Sequence, residues 1–361
     1  MIDTDILLRA YKLMCTAKAM AATYEDNRAI CKYVHSTSRG HEAIQLATAF
    51  QLLPCDYVSP YYRDESLLLG LGFSPYELML QLLAKGNDIF TGGREYYSHP
   101  NYKGDDKPNI IHQSSATGMQ AIPTTGIAQG IKFLEQLAAN GQRPTANEQP
   151  VVICSFGDAS VTEGEVSEAF QFAALHQLPI IYLVQDNGWG ISVTSDEART
   201  TNANEMVKGF KGIKRISIDG SDFLQSYDVM KNVVDEVRRE RHPFLVHAKV
   251  PLLGHHTSGV RKEFYRTEED LDKHAIDDPG PKLRNKLLEI GIAEETLQQM
   301  ESDAAADVAH HFQGAVAAPE PDAATVSDHV FAPTPVTKET GERAPANKEK
   351  VLMANKAAST I

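Results

Sequence analysis

Apolar residues along the chain recur at two spacings. Short unbroken runs, Val151 to Phe156, Ile180 to Val184 and Pro243 to Val250, are too short for helices and are bounded by Gly, Pro or Asp, the pattern of strands buried on both faces. Lys214 to Asp219 reads as a further strand. Elsewhere the spacing is helical: Val166, Ala169, Phe170, Ala173 and Ala174 within Thr162 to His176, and Phe223 to Arg239 behind Asp222 as its cap. Asp5 to Glu25 is helical too, with Leu7, Leu8, Tyr11, Met14 and Cys15 on one stripe; further helices follow the loop at Ser36, start near Ala121, and run from Pro281 to Met300. Gly86 to Gln113 and Thr200 to Ile213 are polar and irregular, and the first is expected to be a long surface excursion. Repeated alternation of strand and helix predicts an α/β protein with a doubly wound, mostly parallel sheet.

The most informative stretch is Val151 to Thr194. Strand, helix and strand in about 30 residues make a crossover unit, so both strands run parallel and end on one edge of the sheet. Asp158 and Asn187, 187 − 158 = 29 positions apart, are therefore expected side by side. That edge is where open parallel sheets bind ligands. A carboxylate and an amide oxygen beside a helix amino end suit a magnesium ion carrying a phosphorylated ligand. Asp and Asn are equally expected in such turns as capping residues, so the spacing alone leaves both readings open.

Composition narrows the class. Hydrophobic residues at 42% and charged residues at 23% are those of a soluble globular protein, and 361 residues suffice for one large core or two domains. A net charge of −13 with no basic run argues against nucleic acid as a partner. No apolar run approaches membrane-spanning length and the start lacks a leader pattern, so no membrane partner is expected and the location is expected to be cytoplasmic. Cys15, Cys31, Cys55 and Cys154 are too scattered for a disulfide framework and read as reduced thiols. Past Ala332 the chain is poor in apolar residues and rich in Pro, Lys, Glu and Ala, which gives the expected organisation: a domain over 1–331 and a flexible tail or linker over 332–361.

Other candidate chemistry is local. His41-Glu42 is not a zinc helix, because Gln45 stands where the second histidine is needed. Gly70 and Gly72 do not extend to a dinucleotide fingerprint, since Pro75 takes the third glycine's place. Tyr62-Arg63 precedes a helix; an arginine fork there suits paired phosphate oxygens, or equally a carboxylate partner or the surface. Small residues from Ser114 to Gly118 allow a flat ring or another helix to come close. His255-His256, in a loop containing Gly and Ser, fits proton transfer or exposed polar residues better than a metal.

Gly157-Asp158-Ala159, followed after a helix-length spacer by DNGWGIS from Asp186, resembles the thiamine diphosphate motif. With RGHEA from Arg39, Tyr62-Arg63, and GHHT from Gly254 ahead of Tyr265-Arg266, the chain resembles, over roughly residues 5 to 330, the alpha subunit of the decarboxylating first component of 2-oxo acid dehydrogenase complexes. The resemblance implies a thiamine diphosphate-binding fold, with magnesium held by the side chains of Asp158 and Asn187 and the carbonyl of Trp189. It places the cofactor against Tyr62, Arg63, Gly157, Asp158, Ala159, Asn187 and His256, with its aminopyrimidine ring on backbone groups of Ser115 and Thr117. His256 is implied at the reaction centre, where a histidine titrating near neutrality suits proton movement.

The implied reaction is oxidative decarboxylation of a 2-oxo acid with acyl transfer to a lipoyl group on the acyltransferase component. The implied partner is a beta subunit in a two-alpha, two-beta assembly; it supplies the glutamate that activates the cofactor, so this chain alone is expected to be inactive. The GHH sequence is more similar to branched-chain enzymes than to pyruvate enzymes. A pyruvate or acetoin dehydrogenase alpha subunit, a non-catalytic scaffolding homologue and a nicotinamide-dependent oxidoreductase are the alternatives. Four positions depart from the family pattern. Ala159 replaces a usual Gly, costly only if its φ is positive. Asp186 replaces a common Asn and adds negative charge. Met119 stands where Thr is frequent in a monovalent-cation loop, and Thr257 replaces a serine that is regulatory in some relatives.

Overall fold

The computed structural model describes residues 2–111, 115–137 and 149–330. The expected tail over 332–361 lies outside the described residues. Contacts divide the chain into a unit Met1–Pro321 and a second from Asp322, whose described part holds one short 3-10 turn, Ala323–Thr325.

Strands β1 (Tyr57–Ser59), β2 (Asn109–Ile110), β3 (Val152–Gly157), β4 (Ile180–Asp186), β7 (Lys214–Asp219) and β8 (Phe244–Lys249) form a six-stranded sheet in the order β2-β1-β3-β4-β8-β7, with every neighbouring pair parallel. A separate antiparallel hairpin, β5 (Trp189–Gly190) with β6 (Val193–Thr194), projects beyond the end of β4. Parallel neighbours need helical crossovers that cover both faces, so alternate residues of each central strand must meet apolar partners on opposite sides.

They do. Ile153, Ile181 and Leu183 share a core with α1 (Thr4–Asp26), α2 (Glu42–Ala49) and α9 (Phe223–Glu240). Val152, Cys154, Phe156, Ile180, Tyr182 and Val184 face the other way, onto α5 (Ala121–Leu137) and α6 (Gly164–His176). A third cluster joins the end of α1 to α3 (Glu65–Gly70), α4 (Pro75–Leu82) and α12 (Glu294–Ala317). The doubly wound α/β reading is thus borne out. So is the cap of α9: Asp222 accepts the N–H groups of Leu224 and Gln225, a contribution of about 1 kcal/mol.

Other expectations are corrected. Residues 86–111 are not a surface excursion: Phe90, Tyr97 and His99 are buried, and Tyr97 packs edge-on against Tyr24. Polar composition hid these few anchors. A short helix α7 (Ser195–Ala198) precedes the region expected to be irregular and α8 (Ala203–Met206) interrupts it, and α10 (Glu268–Ile276) precedes α11 (Pro279–Glu289). The helix expected over Pro281 to Met300 is two, α11 and α12. Helix α2 is buried on all sides, with Glu42, Gln45 and Thr48 at 0% exposure, so its polar residues must find partners inside the protein. Among the described residues no helix is long and apolar enough to cross a membrane.

Candidate active site at the carboxyl edge of the sheet

Four parallel strands deliver their following residues to one edge. The β3–β4 register pairs Gly157 with Gln185, which sets Asp158 level with Asp186 and one residue short of Asn187. Strand β1 leads into Tyr62 and Arg63, and β8 into the loop of His255 and His256. Tyr62 and His256 meet directly, Oη to Nε2 at 3.2 Å, and Arg63 Nη2 donates to the His256 carbonyl at 3.1 Å.

Arg63 is the unusual member of this half. Its side chain is fully buried, yet Nε and Nη1 make no hydrogen bond, and among the described residues it pairs with no carboxylate. Its neighbours are Tyr61 and Tyr62, whose phenol oxygens lie close enough to act on its charge, and its guanidinium carbon lies 5.4 Å from the Tyr62 ring centre. An uncompensated buried guanidinium is costly, and an anion with paired oxygens removes the cost. His256 also differs from expectation. The Ile191 N–H donates to its Nδ1 at 3.3 Å, so the proton sits on Nε2 and is donated to Tyr62. Burial, then the charge of Arg63, pushes its pKa down to about 3. Titration near neutrality is therefore not a property of this histidine while Arg63 is unmatched.

The other half carries acid. Asp158 accepts from Arg199 Nη2 at 2.6 Å, and the same nitrogen lies 3.6 Å from Asp186 Oδ1. His247 Nε2 donates to Asp186 at 2.8 Å and its Nδ1 accepts from Ser217 at 2.9 Å. Burial and then the neighbouring Asp186 charge push Asp158 up to about 7. For Asp186, burial acts upward but is outweighed by hydrogen bonds from His247 and Asp158, which hold it at about 2. Two carboxylates here share one guanidinium, and the extra charge of Asp186 has a further partner in His247. Neither Arg199 nor His247 was singled out from the sequence. His247 left a faint signal, a titratable residue inside the apolar run of β8; Arg199, in a polar loop, left none.

Asn187 is 5% exposed, with Oδ1 accepting from the Trp189 N–H at 3.1 Å and Nδ2 donating to His41 Nε2 at 3.3 Å. Gly188 between them has φ +76, the left-handed value that this tight turn requires. The Trp189 ring is fixed by Tyr265, 5.5 Å between ring centres, and by the guanidinium of Arg266 at 5.5 Å. His41 is fully buried and held uncharged, first by burial and then by Arg63. Among the described residues no three of His, Cys, Asp and Glu converge as a metal cluster, so a metal here would need amide and carbonyl oxygen beside a carboxylate.

Ala159 resolves one departure. It opens a 3-10 turn, Ala159–Thr162, and is absent from the residues with positive φ, so alanine is unstrained there. Its methyl lies 3.3 Å from where a Cβ on residue 190 would stand, and that residue is glycine. Gly157, at the end of β3, faces the Tyr61 ring with room for a Cβ at 3.7 Å. Ser115 and Thr117 are exposed; Ser115 Oγ lies 3.1 Å from His99 Nε2, and Gln120 Nε2 donates to the Ser155 carbonyl at 3.1 Å. At Gly118 a Cβ would come within 3.1 Å of the Ser160 carbonyl oxygen, so this loop is pressed onto the turn that follows Asp158. A cleft of about 450 Å³ lined by Asp186, Asn187, Arg199, Thr201, Lys249 and His274 opens alongside.

Similarity to known proteins agrees with this geometry. The model of the family described as "Dehydrogenase E1 component" matches residues 11–324. The 2-oxoisovalerate dehydrogenase subunit alpha of Bacillus subtilis is 30% identical over 263 residues, 72% of this chain and 75% of that protein. The mitochondrial 2-oxoisovalerate dehydrogenase subunit alpha 2 of Arabidopsis thaliana is 28% identical over 75% of this chain, and the Homo sapiens mitochondrial subunit alpha is 29% identical over 80%. The match spans 54% and 62% of those two proteins, about half to three fifths of their length. A family match over most of the chain, on a sheet whose carboxyl edge gathers Arg63, Asp158, Asn187 and His256, establishes that this chain belongs to the dehydrogenase E1 component family.

Proposed function

We propose that this chain is the alpha subunit of a branched-chain 2-oxo acid dehydrogenase, acting with a beta subunit and with magnesium and thiamine diphosphate. The observation that carries the reading is Arg63, a buried guanidinium with two unpartnered nitrogens at the carboxyl edge of a parallel sheet. The acid pair supports it from the other side, because Asp158 and Asp186 already gather a cation, Arg199.

On this reading Arg63 and Tyr62 hold the pyrophosphate beside Gly157, Asp158 and Ala159. Asp158, Asn187 and the Trp189 carbonyl hold magnesium, an oxygen set that suits a hard cation. Backbone groups of Ser115 and Thr117 support the aminopyrimidine ring. Thiamine diphosphate, when bound, supplies the electron sink that lets a 2-oxo acid lose carbon dioxide. His256 presents Nε2–H toward the site through Tyr62. A dianion on Arg63 offsets the second of the two causes that depress His256, burial being the first, and so moves the ring upward from its depressed value.

The lipoyl group of an acyltransferase component takes the acyl product, and branched-chain acids are the substrates, in keeping with the names of the relatives. The test is reduction of an artificial electron acceptor by 3-methyl-2-oxobutanoate, with pyruvate alongside, using this chain with and without a beta subunit. Activity in the mixture alone, with the branched acid preferred, is the expected result. Full activity of the single chain overturns the assembly, and preference for pyruvate overturns the substrate.

A further inference from the structure

Beneath the candidate metal residues runs a line of buried amides, each with a single allowed orientation. Gln45 Oε1 accepts the N–H groups of Ser66 and Leu67 at 3.1 and 3.3 Å, which leaves its Nε2 to donate to Gln185 Oε1 at 2.9 Å and to the Arg63 carbonyl at 3.1 Å. Gln185 Nε2 in turn donates to Asp64 at 2.7 Å and Ser155 Oγ at 2.9 Å. The Gln185 oxygen is thus fixed as an acceptor, and it lies 2.8 Å from His41 Nδ1. Nδ1 must carry the proton. An uncharged ring then has a bare Nε2, and this atom accepts from Asn187 Nδ2 at 3.3 Å.

Asn187 consequently turns its oxygen the other way, onto the Trp189 N–H, with a second lone pair still free. Reversing the amide would set its oxygen against a lone pair of His41 and its NH₂ against the Trp189 N–H. His41, Gln45 and Gln185 are at 0% exposure and Asn187 at 5%, so no water repairs such a mismatch. Only oxygen ligates magnesium, so the orientation decides whether Asn187 can serve.

Resting on the reading of Asn187 as a magnesium ligand, we propose that His41 is a positioning residue: its fixed tautomer holds the Asn187 carboxamide with the oxygen on the metal loop. Partners of this kind behind metal ligands typically change affinity by about 10- to 100-fold. The experiment measures free Mn²⁺ by electron paramagnetic resonance as it is titrated, with thiamine diphosphate, into the full chain assembled with its beta subunit.

His41→Leu, which removes both ring nitrogens, is expected to weaken Mn²⁺ binding about 10- to 100-fold. His41→Asn, polar but too short to span both partners, is expected to fall with it. His41→Gln, whose amide can donate to Gln185 and accept from Asn187, is expected to stay close to wild type. Equal affinity in all three variants, or His41→Gln as weak as His41→Leu, overturns the proposal; a general packing role would lower melting temperature without separating the variants by affinity. Asp158→Ala serves as the control. If it keeps wild-type Mn²⁺ binding, the metal reading itself fails, independently of His41.

Discussion

The two halves of the site are prepared in opposite ways. On the Arg63 side a buried positive charge has no carboxylate partner among the described residues, and two of its nitrogens make no hydrogen bond there. On the Asp158 side the charges are already spent on one another: two acids, one guanidinium 2.6 Å from Asp158, and a histidine on Asp186. The first half presents a buried guanidinium that suits an anion with paired oxygens. On the proposed reading, a metal entering the second half would displace the Arg199 guanidinium, so anion binding would be the preorganised step and metal binding an exchange.

The sharpest way to break this comparison is Arg63→Met. Loss of charge-assisted bonds to a pyrophosphate is worth about 3 kcal/mol, or about 100-fold in thiamine diphosphate affinity, measured by calorimetric titration. The unliganded variant is expected to melt no lower than wild type, since a buried unpaired charge has been replaced by an apolar side chain. A variant that binds normally, or that melts far lower, would show that Arg63 is satisfied structurally.

Arg199→Gln probes the opposite half. Without metal the two acids lose their shared cation, and stability is expected to fall by about 1–3 kcal/mol in denaturant unfolding. With metal the exchange cost disappears, so the magnesium concentration that half-supports cofactor binding is expected to drop about tenfold, the equivalent of about 1.4 kcal/mol. An unchanged magnesium requirement would mean that Arg199 never occupies the metal's place.

Histidine chemistry links the halves. His256 in the unliganded protein is depressed to about 3 by burial and Arg63, against about 6.5 in an unfolded chain. Between those values the unfolded state binds the extra proton, so this group removes stability as pH falls from about 6.5 toward 3. Nitrogen-15 spectra of the unliganded protein are expected to show no His256 titration between pH 5 and 8, and an upward shift once an anion matches Arg63. A midpoint near neutrality without cofactor would contradict the depression by burial and by Arg63.

Ala159→Gly has the smallest expected effect. Because Ala159 is not in the left-handed region, glycine gains no relief there and adds only unfolded-state freedom, a loss of under about 1 kcal/mol in thermal unfolding. Cofactor affinity should stay within about twofold.

The central strands were legible because buried parallel strands leave continuous apolar runs: Val151 to Phe156 became Val152–Gly157, and Ile180 to Val184 became Ile180–Asp186, whereas Lys214–Asp219, at the sheet's edge and mostly exposed, carries no such run. That Asp158 and Asn187 both follow strands ending on one edge came from crossover geometry, while the register sets Asp158 level with Asp186. Arg63 and His256 were reachable through resemblance, and their contact through Tyr62 was not, because it joins two loops 194 positions apart. The polar floor was hidden for a different reason. His41 and Gln45 sit on a short helix buried all round, and no periodicity marks a face that is polar inward. His41 was weighed only as a zinc ligand, whereas its partners are amides. Arg199 shows the same limit from the other side, since a lone basic residue in a polar loop looks like surface until a distance says otherwise.

The most direct measurement is titration of thiamine diphosphate into the chain assembled with a beta subunit, with and without magnesium, followed by calorimetry and by the fluorescence of Trp189, the chain's one tryptophan. Binding that requires magnesium and perturbs Trp189 is the predicted result. Binding of equal strength without magnesium, or no binding under either condition, would contradict the assignment of this edge as a metal–pyrophosphate site.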